Sequence, residues 1–82
     1  VNKVVPHEQL DAETQDWANR LAAGPPLALA MTKRMLTLNA SNDFKSALEA
    51  EGMAQTVNFY TSDTKEAVAA FLDKRDPKFE GR

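Results

Sequence analysis

The chain has 82 residues, which is enough for one small domain and too few for a second hydrophobic core. Its net charge of −2 gives no general attraction to nucleic acid or to an anionic membrane, and no apolar run approaches the roughly 20 residues that span a bilayer. Because cysteine is absent, the chain offers neither a disulfide nor a thiolate ligand. We therefore expect a cytoplasmic protein with no nucleic-acid, membrane or metal partner.

The first six residues, VNKVVP, form a β-branched run that ends at a proline. Such a run predicts a short strand, and a strand needs a neighbour with which to pair. No later segment offers one, and the chain has no initiator methionine. We therefore expect residues 1–6 to be a strand and linker that belong to a larger protein, and residues 7–82 to form a helical domain.

A first amphipathic helix is predicted over residues 7–23. Its apolar residues recur at spacings of three and four and make one stripe that includes Leu10, Trp17 and Leu21. A stripe of this kind is typical of a helix that buries one face. Gly24 follows the last helical residue and is expected to adopt a positive φ angle there.

A second helix is predicted over residues 26–40, since a proline at the first helical position loses no hydrogen bond. Met31 and Met35 lie on its main apolar stripe, and further apolar residues widen that stripe over much of the circumference. Methionines at this spacing more often pack in a core than bind a cofactor. The wide stripe predicts that the helix is covered on more than one side.

Two further helices complete the pattern, over residues 43–60 and 63–75. Asp43 is a suitable N-cap for the first of them. Asp63 and Glu66 have the spacing of a capping box at the start of the second. The predicted fold class is therefore all-α, a small domain of about four helices that follows a short N-terminal strand.

Three segments resemble the C-terminal helical domain of the enoyl-CoA hydratase/isomerase (crotonase) superfamily. The line GPPLALAMTKRML at residues 24–36 is similar to the Gly-Pro turn and the helix that follows it in that family. The line SDTKEAVAAFLDKRDPKFEGR at residues 62–82 resembles the family's ending, with Ala67 at a position that the family pattern fills with glycine. The opening VNKVVPHEQL resembles the last core strand and its exit. The three segments occur in the family's order, and the resemblance extends over essentially the whole chain.

The resemblance implies a larger enzyme whose N-terminal ββα-spiral core binds an acyl-CoA thioester and stabilises an enolate in an oxyanion hole. It implies hydration of 2-enoyl-CoA by core glutamates, with coenzyme A as part of the substrate and no separate cofactor. None of those catalytic parts lies in this chain, so we expect no catalytic residue here. The resemblance further implies a homo-oligomer, a trimer or a dimer of trimers, in which the C-terminal helices pack on the core or on a neighbouring subunit.

The candidate binding residues are Lys74 and Phe71. In the family the lysine of a Phe-x-x-Lys-Arg pattern approaches the CoA phosphates, and that lysine corresponds to Lys74, while the phenylalanine corresponds to Phe71. Cations suit phosphate because charge-assisted hydrogen bonds are strong. The alternative is that Lys74 and Arg75 only complement the negative end of the last helix. For Arg75 and Lys78 we favour such a non-binding role.

Other polar and aromatic residues carry weaker hypotheses. The resemblance implies that an aromatic residue near Phe59 and Tyr60 closes the acyl pocket of a neighbouring subunit in some members, but packing in a core or an interface is the better interpretation. Glu49 and Glu51 are two positions apart on a helix and so point in different directions, which excludes a paired-carboxylate site. His7, the single histidine, has no nucleophile or metal ligand near it in sequence and is interpreted as a surface residue.

Three hypotheses for function remain. The first is the C-terminal oligomerisation and CoA-site-edge domain of an enoyl-CoA hydratase or isomerase. The second is a stand-alone helical protein-interaction module, and the third is a small bundle that binds acyl-CoA by itself. Exposed apolar surface separates the first two, because a natural module should cover its own core. Affinity of this chain for coenzyme A would support the third.

Overall fold

A computed structural model describes all 82 residues, Val1–Arg82, as an all-α chain. A 3₁₀ turn at His7–Gln9 leads into helix α1, which spans Leu10–Ala22. Helices α2, α3 and α4 span Pro26–Asn39, Phe44–Phe59 and Ser62–Asp73. The four predicted helices are confirmed. Their ends lie within two residues of the expected ones, except that α1 begins three residues late, because His7–Gln9 forms the 3₁₀ turn.

The strand predicted for residues 1–6 is not present, and this segment has no regular secondary structure. The chain contains no strand with which this β-branched run could pair. Lys3 instead forms an ion pair with Glu13 of α1, and its hydrogen bond lowers the pKa of the Glu13 carboxyl. The segment therefore lies beside α1 and adds no sheet to the helical domain.

The turn between α1 and α2 depends on the small size of Gly24. A positive φ angle was expected at this residue, but that expectation is wrong, since Gly81 is the glycine with a positive φ. A Cβ atom at Gly24 would lie 2.9 Å from Cδ1 of Leu29 and 3.2 Å from the carbonyl oxygen of Leu21. Close packing of the two helices, and not backbone conformation, thus favours glycine here. Pro26 occupies the first turn of α2 as predicted.

The caps of the last two helices differ in how well they were predicted. Asp43 caps α3 by accepting a hydrogen bond from the backbone N–H of Ser46, which confirms the expected cap and lowers the pKa of Asp43. Thr61, and not Asp63, caps α4, because its hydroxyl oxygen accepts from the backbone N–H of Thr64. The capping box predicted for Asp63 and Glu66 is therefore wrong, and both carboxylates bind elsewhere.

The helices form a flat and open arrangement. Helix α2 packs on α3, and α3 packs on α4, whereas α1 has no comparable packing with any other α-helix. The molecule measures 42 × 39 × 18 Å. Its radius of gyration is 15.7 Å, compared with about 12 Å for a compact domain of this length. The predicted burial of Trp17 is not seen within the chain, since this residue is 39% exposed.

Many large apolar side chains of the chain are exposed. The accessible surface is 7026 Å², which exceeds by about 2,100 Å² the value expected for a compact monomer of this mass. Ala70 is the one apolar residue that is fully buried. Seventeen large apolar residues are exposed: Val1, Val4, Leu10, Trp17, Leu21, Leu27, Leu36, Leu38, Phe44, Leu48, Met53, Val57, Phe59, Tyr60, Val68, Phe71 and Leu72. None of the helices combines the length and the apolar character needed to cross a bilayer.

Candidate functional site

The C-terminal end of α4 places Lys74 in a left-handed turn. Lys74 has φ 54° and ψ 43°, the one non-glycine residue with a positive φ in the chain. The backbone N–H of Arg75 donates to the carbonyl of Ala70 at 3.0 Å, and that of Lys74 donates to Phe71 at 3.3 Å. This pattern is a Schellman motif, in which glycine is the usual left-handed residue. Lys74 therefore adopts a backbone conformation that is unfavourable for a residue with a Cβ atom.

Of the two predicted binding residues, Phe71 lies on the last turn of α4 and Lys74 is the residue that directly follows the helix. The Phe71 side chain is 83% exposed, so it has no packing partner in the chain that would account for an aromatic residue here. The Lys74 ammonium takes part in none of the ion pairs or side-chain hydrogen bonds of the structure. An unpaired cation and an exposed aromatic ring are thus three residues apart at the end of α4.

Arg75, by contrast, is fully engaged by the chain itself. Its Nη1 and Nη2 atoms donate to the two carboxylate oxygens of Glu66 at 2.6 and 2.9 Å. Its Nε atom lies 3.5 Å from Oδ2 of Asp73. These contacts raise the pKa of the Arg75 guanidinium, with the Glu66 hydrogen bond as the main cause. The non-binding role of Arg75 stays a prediction, and the partners of its guanidinium are side chains and not the helix end alone.

Glu66 accepts from two parts of the C-terminal tail at once. Besides Arg75, the backbone N–H of Lys78 donates to its Oε1 at 2.8 Å. The hydrogen bond from Arg75, followed by the one from Lys78, lowers the pKa of Glu66 from 4.5 to about 2. Its carboxylate is therefore ionised at neutral pH.

Asp63 holds the C-terminal tail, a structural role that the sequence did not predict. It is only 4% exposed, and its Oδ1 and Oδ2 accept the backbone N–H groups of Glu80 and Gly81 at 2.7 and 2.9 Å. The backbone N–H of Ser62 also donates to the carbonyl of Arg82 at 2.7 Å. The start of α4 thus holds the end of the tail. Gly81 has φ 75° and packs on Pro26, and a glycine at this position was the one sequence feature that could have predicted a turn in the tail.

The low pKa of Glu66 gives a titration that can be measured. Because the folded pKa lies below the ordinary value of 4.5, the stabilisation by ionised Glu66 is complete above about pH 4.5 and is lost as the pH falls toward 2. We expect the amide chemical shift of Lys78, followed by NMR, to titrate with a midpoint near pH 2. In an Arg75→Gln variant the midpoint should rise toward 4.5, since the main cause of the shift is removed. A midpoint near 4.5 in the unaltered chain would contradict the paired geometry.

The remaining candidates do not converge on this site. Phe59 and Tyr60 are exposed at the end of α3, and His7 is exposed in the 3₁₀ turn before α1. Glu51 lies along the groove between α2 and α3, whereas Glu49 pairs at 4.0 Å with Lys45. No group of three or more histidine, aspartate or glutamate side chains is arranged to hold a metal ion.

Comparison with known proteins identifies the family. The family model for enoyl-CoA hydratase/isomerase matches residues 1–82, the full chain. The chain belongs to the enoyl-CoA hydratase/isomerase family. Among curated members of this family, it is 35% identical over 81 residues to a short-chain-enoyl-CoA hydratase of Clostridium acetobutylicum, covering 99% of the chain and 30% of that protein. It is also 35% identical over 79 residues to a crotonyl-CoA hydratase of Syntrophomonas wolfei, covering 96% of the chain and 30% of that protein.

Solved structures of enoyl-CoA hydratases contain the same arrangement of helices. The chain superposes on an enoyl-CoA hydratase subunit of Geobacillus kaustophilus with a TM-score of 0.87 and 39% identity, over 100% of the chain and 32% of that protein. For an enoyl-CoA hydratase of Polaromonas sp. JS666 the TM-score is 0.89 and the identity 34%, over 98% of the chain and 31% of that protein.

The open packing of the helices is therefore a property of the enoyl-CoA hydratase fold. The chain spans about 30% of the length of the curated relatives that it matches. Family membership thus describes one segment of a larger enzyme architecture and does not by itself place an active site on these 82 residues.

Proposed function

We propose that this chain is the C-terminal oligomerisation and CoA-site-edge domain of an enoyl-CoA hydratase/isomerase. The intact enzyme acts on acyl-CoA thioesters, and hydration of 2-enoyl-CoA is the reaction most consistent with the short-chain-enoyl-CoA and crotonyl-CoA hydratases to which the chain is similar. The observation that carries the proposal is the large apolar surface that the four helices leave uncovered.

The size of that surface supports a docking role. Stable protein interfaces bury about 800 Å² on each partner, and the excess of about 2,100 Å² on this chain is more than twice that area. The exposed residues also occur on all four helices, so the excess is not confined to one small patch. An enzyme core and a second subunit would together cover faces that point in different directions. A self-contained interaction module would have buried most of these side chains.

The end of α4 supports the CoA-edge part of the proposal. Coenzyme A carries a 3′-phosphate and a pyrophosphate, and an unpaired lysine ammonium can donate charge-assisted hydrogen bonds to either. Lys74 supplies that ammonium, and the exposed ring of Phe71 offers a flat apolar surface for the adenine or the acyl chain. In this proposal the oxyanion hole and the acid–base glutamates lie in the remaining part of the enzyme. The chain would then contribute binding energy and no reacting group.

An assay with crotonyl-CoA tests the proposal. The full-length protein that carries this segment should hydrate crotonyl-CoA, measured as loss of the enoyl thioester absorbance, whereas the 82-residue chain alone should show no turnover above background. Turnover by the chain alone would contradict the assignment of catalysis to the rest of the enzyme. Absence of activity in the full-length protein toward a series of enoyl-CoA substrates would contradict the hydratase assignment and would favour the alternative, a helical interaction module.

A further inference from the structure

The tail after α4, residues 74–82, folds back along the helix that precedes it. Arg75 and the backbone of Lys78 bind Glu66, in the middle of α4. Glu80 and Gly81 bind the buried Asp63 through their backbone N–H groups. The tail is therefore fixed at two points by side chains of α4 itself. We name these contacts of Asp63 and Glu66 the tail clasp.

The tail clasp encloses the turn that carries Lys74. Asp73, directly before Lys74, is the last residue of α4. Arg75, directly after Lys74, is held by two hydrogen bonds to Glu66. The left-handed conformation of Lys74 is disfavoured for a residue with a Cβ atom. Such conformations persist where the surrounding structure determines them, and they are frequent at binding sites. The ion pair between Arg75 and Glu66 constrains the chain directly after Lys74 in this way.

We infer that Glu66 is a positioning residue for coenzyme A, which acts by holding Arg75 and thereby directing the Lys74 ammonium toward the CoA phosphates. The inference rests on the proposed contact between Lys74 and acyl-CoA. Glu66 itself repels phosphate by its charge, so simple electrostatics predicts that its loss would strengthen binding. The positioning role predicts the opposite sign. The direction of the change in affinity therefore separates the two effects.

A double-mutant cycle in the full-length protein tests this inference, with the dissociation constant of coenzyme A measured by calorimetry. Glu66→Gln keeps the size of the side chain and removes its charge, and it is expected to weaken binding of coenzyme A by about threefold to tenfold. In a Lys74→Ala background the same substitution should have no effect, since its action passes through Lys74. Glu49→Gln, the same change at an exposed ion pair of α3, should leave the affinity unaltered.

Pantetheine, which lacks the phosphates, separates positioning from general loss of structure. Its affinity should be the same in the Glu66→Gln variant and the unaltered protein, whereas a merely structural defect would weaken both ligands. As a second variant, Gly81→Ala loosens the other end of the clasp, because an alanine is strained at φ 75° and its Cβ would lie 3.4 Å from Pro26. It should weaken coenzyme A binding in the same direction.

The outcomes also separate this inference from the proposal on which it rests. If Lys74→Ala does not change the affinity for coenzyme A, the proposed CoA contact fails. If Lys74→Ala weakens binding but Glu66→Gln strengthens it or leaves it unchanged, the contact stands and the positioning role of Glu66 is overturned. Equal effects of Glu66→Gln with and without Lys74 would overturn it as well.

Discussion

Replacing Lys74 with alanine in the full-length protein is expected to raise the KM for crotonyl-CoA by about tenfold while kcat changes little. A hydrogen bond to a charged group contributes about 1.5–3 kcal/mol, and each 1.4 kcal/mol corresponds to about tenfold in affinity. We use the lower end of that range because the ammonium is exposed to solvent in the free chain. The phosphates lie far from the reacting carbons of an acyl-CoA, so the interaction is the same in the ground state and the transition state.

A Lys74→Gly variant separates the binding contact from protein stability. Glycine adopts the left-handed conformation without the steric cost of a Cβ atom, which is about 1 kcal/mol or more. We therefore expect Lys74→Gly to raise the free energy of unfolding by about 1 kcal/mol and Lys74→Ala to leave it nearly unchanged, while both variants raise the KM equally. Urea unfolding and steady-state kinetics give the two quantities.

Lys65 provides the matched control for Lys74. It lies on the same helix, is exposed, and forms no ion pair, but it is at the opposite end of α4. Lys65→Ala should therefore leave both KM and kcat unaltered. An equal rise in KM for Lys65→Ala would show that overall positive charge, and not a specific contact, attracts the substrate. An unchanged KM in both Lys74 variants would contradict the CoA-edge assignment.

The second large effect concerns association of the chain. On its own the 82-residue chain is expected to self-associate through α2 and α3, giving a mass in sedimentation of at least twice that of the monomer. Leu36 and Met53 are each 73% exposed on these helices, so they contribute little to internal packing. Replacing both with glutamate should weaken association by about 100-fold or more, since burying each apolar side chain contributes roughly 1.5–3 kcal/mol.

The control for the Leu36→Glu, Met53→Glu variant adds the same two negative charges at polar positions of the same helices. Thr37 and Thr56 are exposed polar residues on the same two helices, and each donates its hydroxyl only to a backbone carbonyl of its own helix. A Thr37→Glu, Thr56→Glu variant adds the same negative charge without removing apolar surface. It should associate nearly as well as the unaltered chain. A strict monomer at high concentration for the unaltered chain would contradict the docking role of the open surface.

Much of the local structure was predictable because it depends on neighbours in sequence. The prolines before α2 and the side chain of Asp43 act on residues within one helical turn, so the boundaries of α2 and α3 followed from the printed sequence. The same reasoning failed at the start of α4. Thr61 and Asp63 are both good capping residues, and the choice between them depends on the returning tail, which lies about 20 residues away in sequence.

The candidate site shows the same division. The resemblance to the family predicted Lys74 and Phe71 as binding residues, and in the structure both are exposed at the C-terminal end of α4. Nothing in the sequence predicted the left-handed conformation of Lys74, because lysine has no preference for it. Nor could the sequence reveal that Arg75 is held by Glu66, since a pair nine residues apart meets only when the chain reverses after α4.

By itself, the sequence determined the helical composition, the positions of most helix ends and the membership of the family, because periodicity, caps and motif spacing are local properties of the chain. Only the tertiary structure decided which apolar faces remain open and which basic residues remain unpaired. Those two properties depend on how distant segments pack: the helices are too openly arranged to bury their stripes, and the tail returns to take Arg75 while leaving Lys74 free.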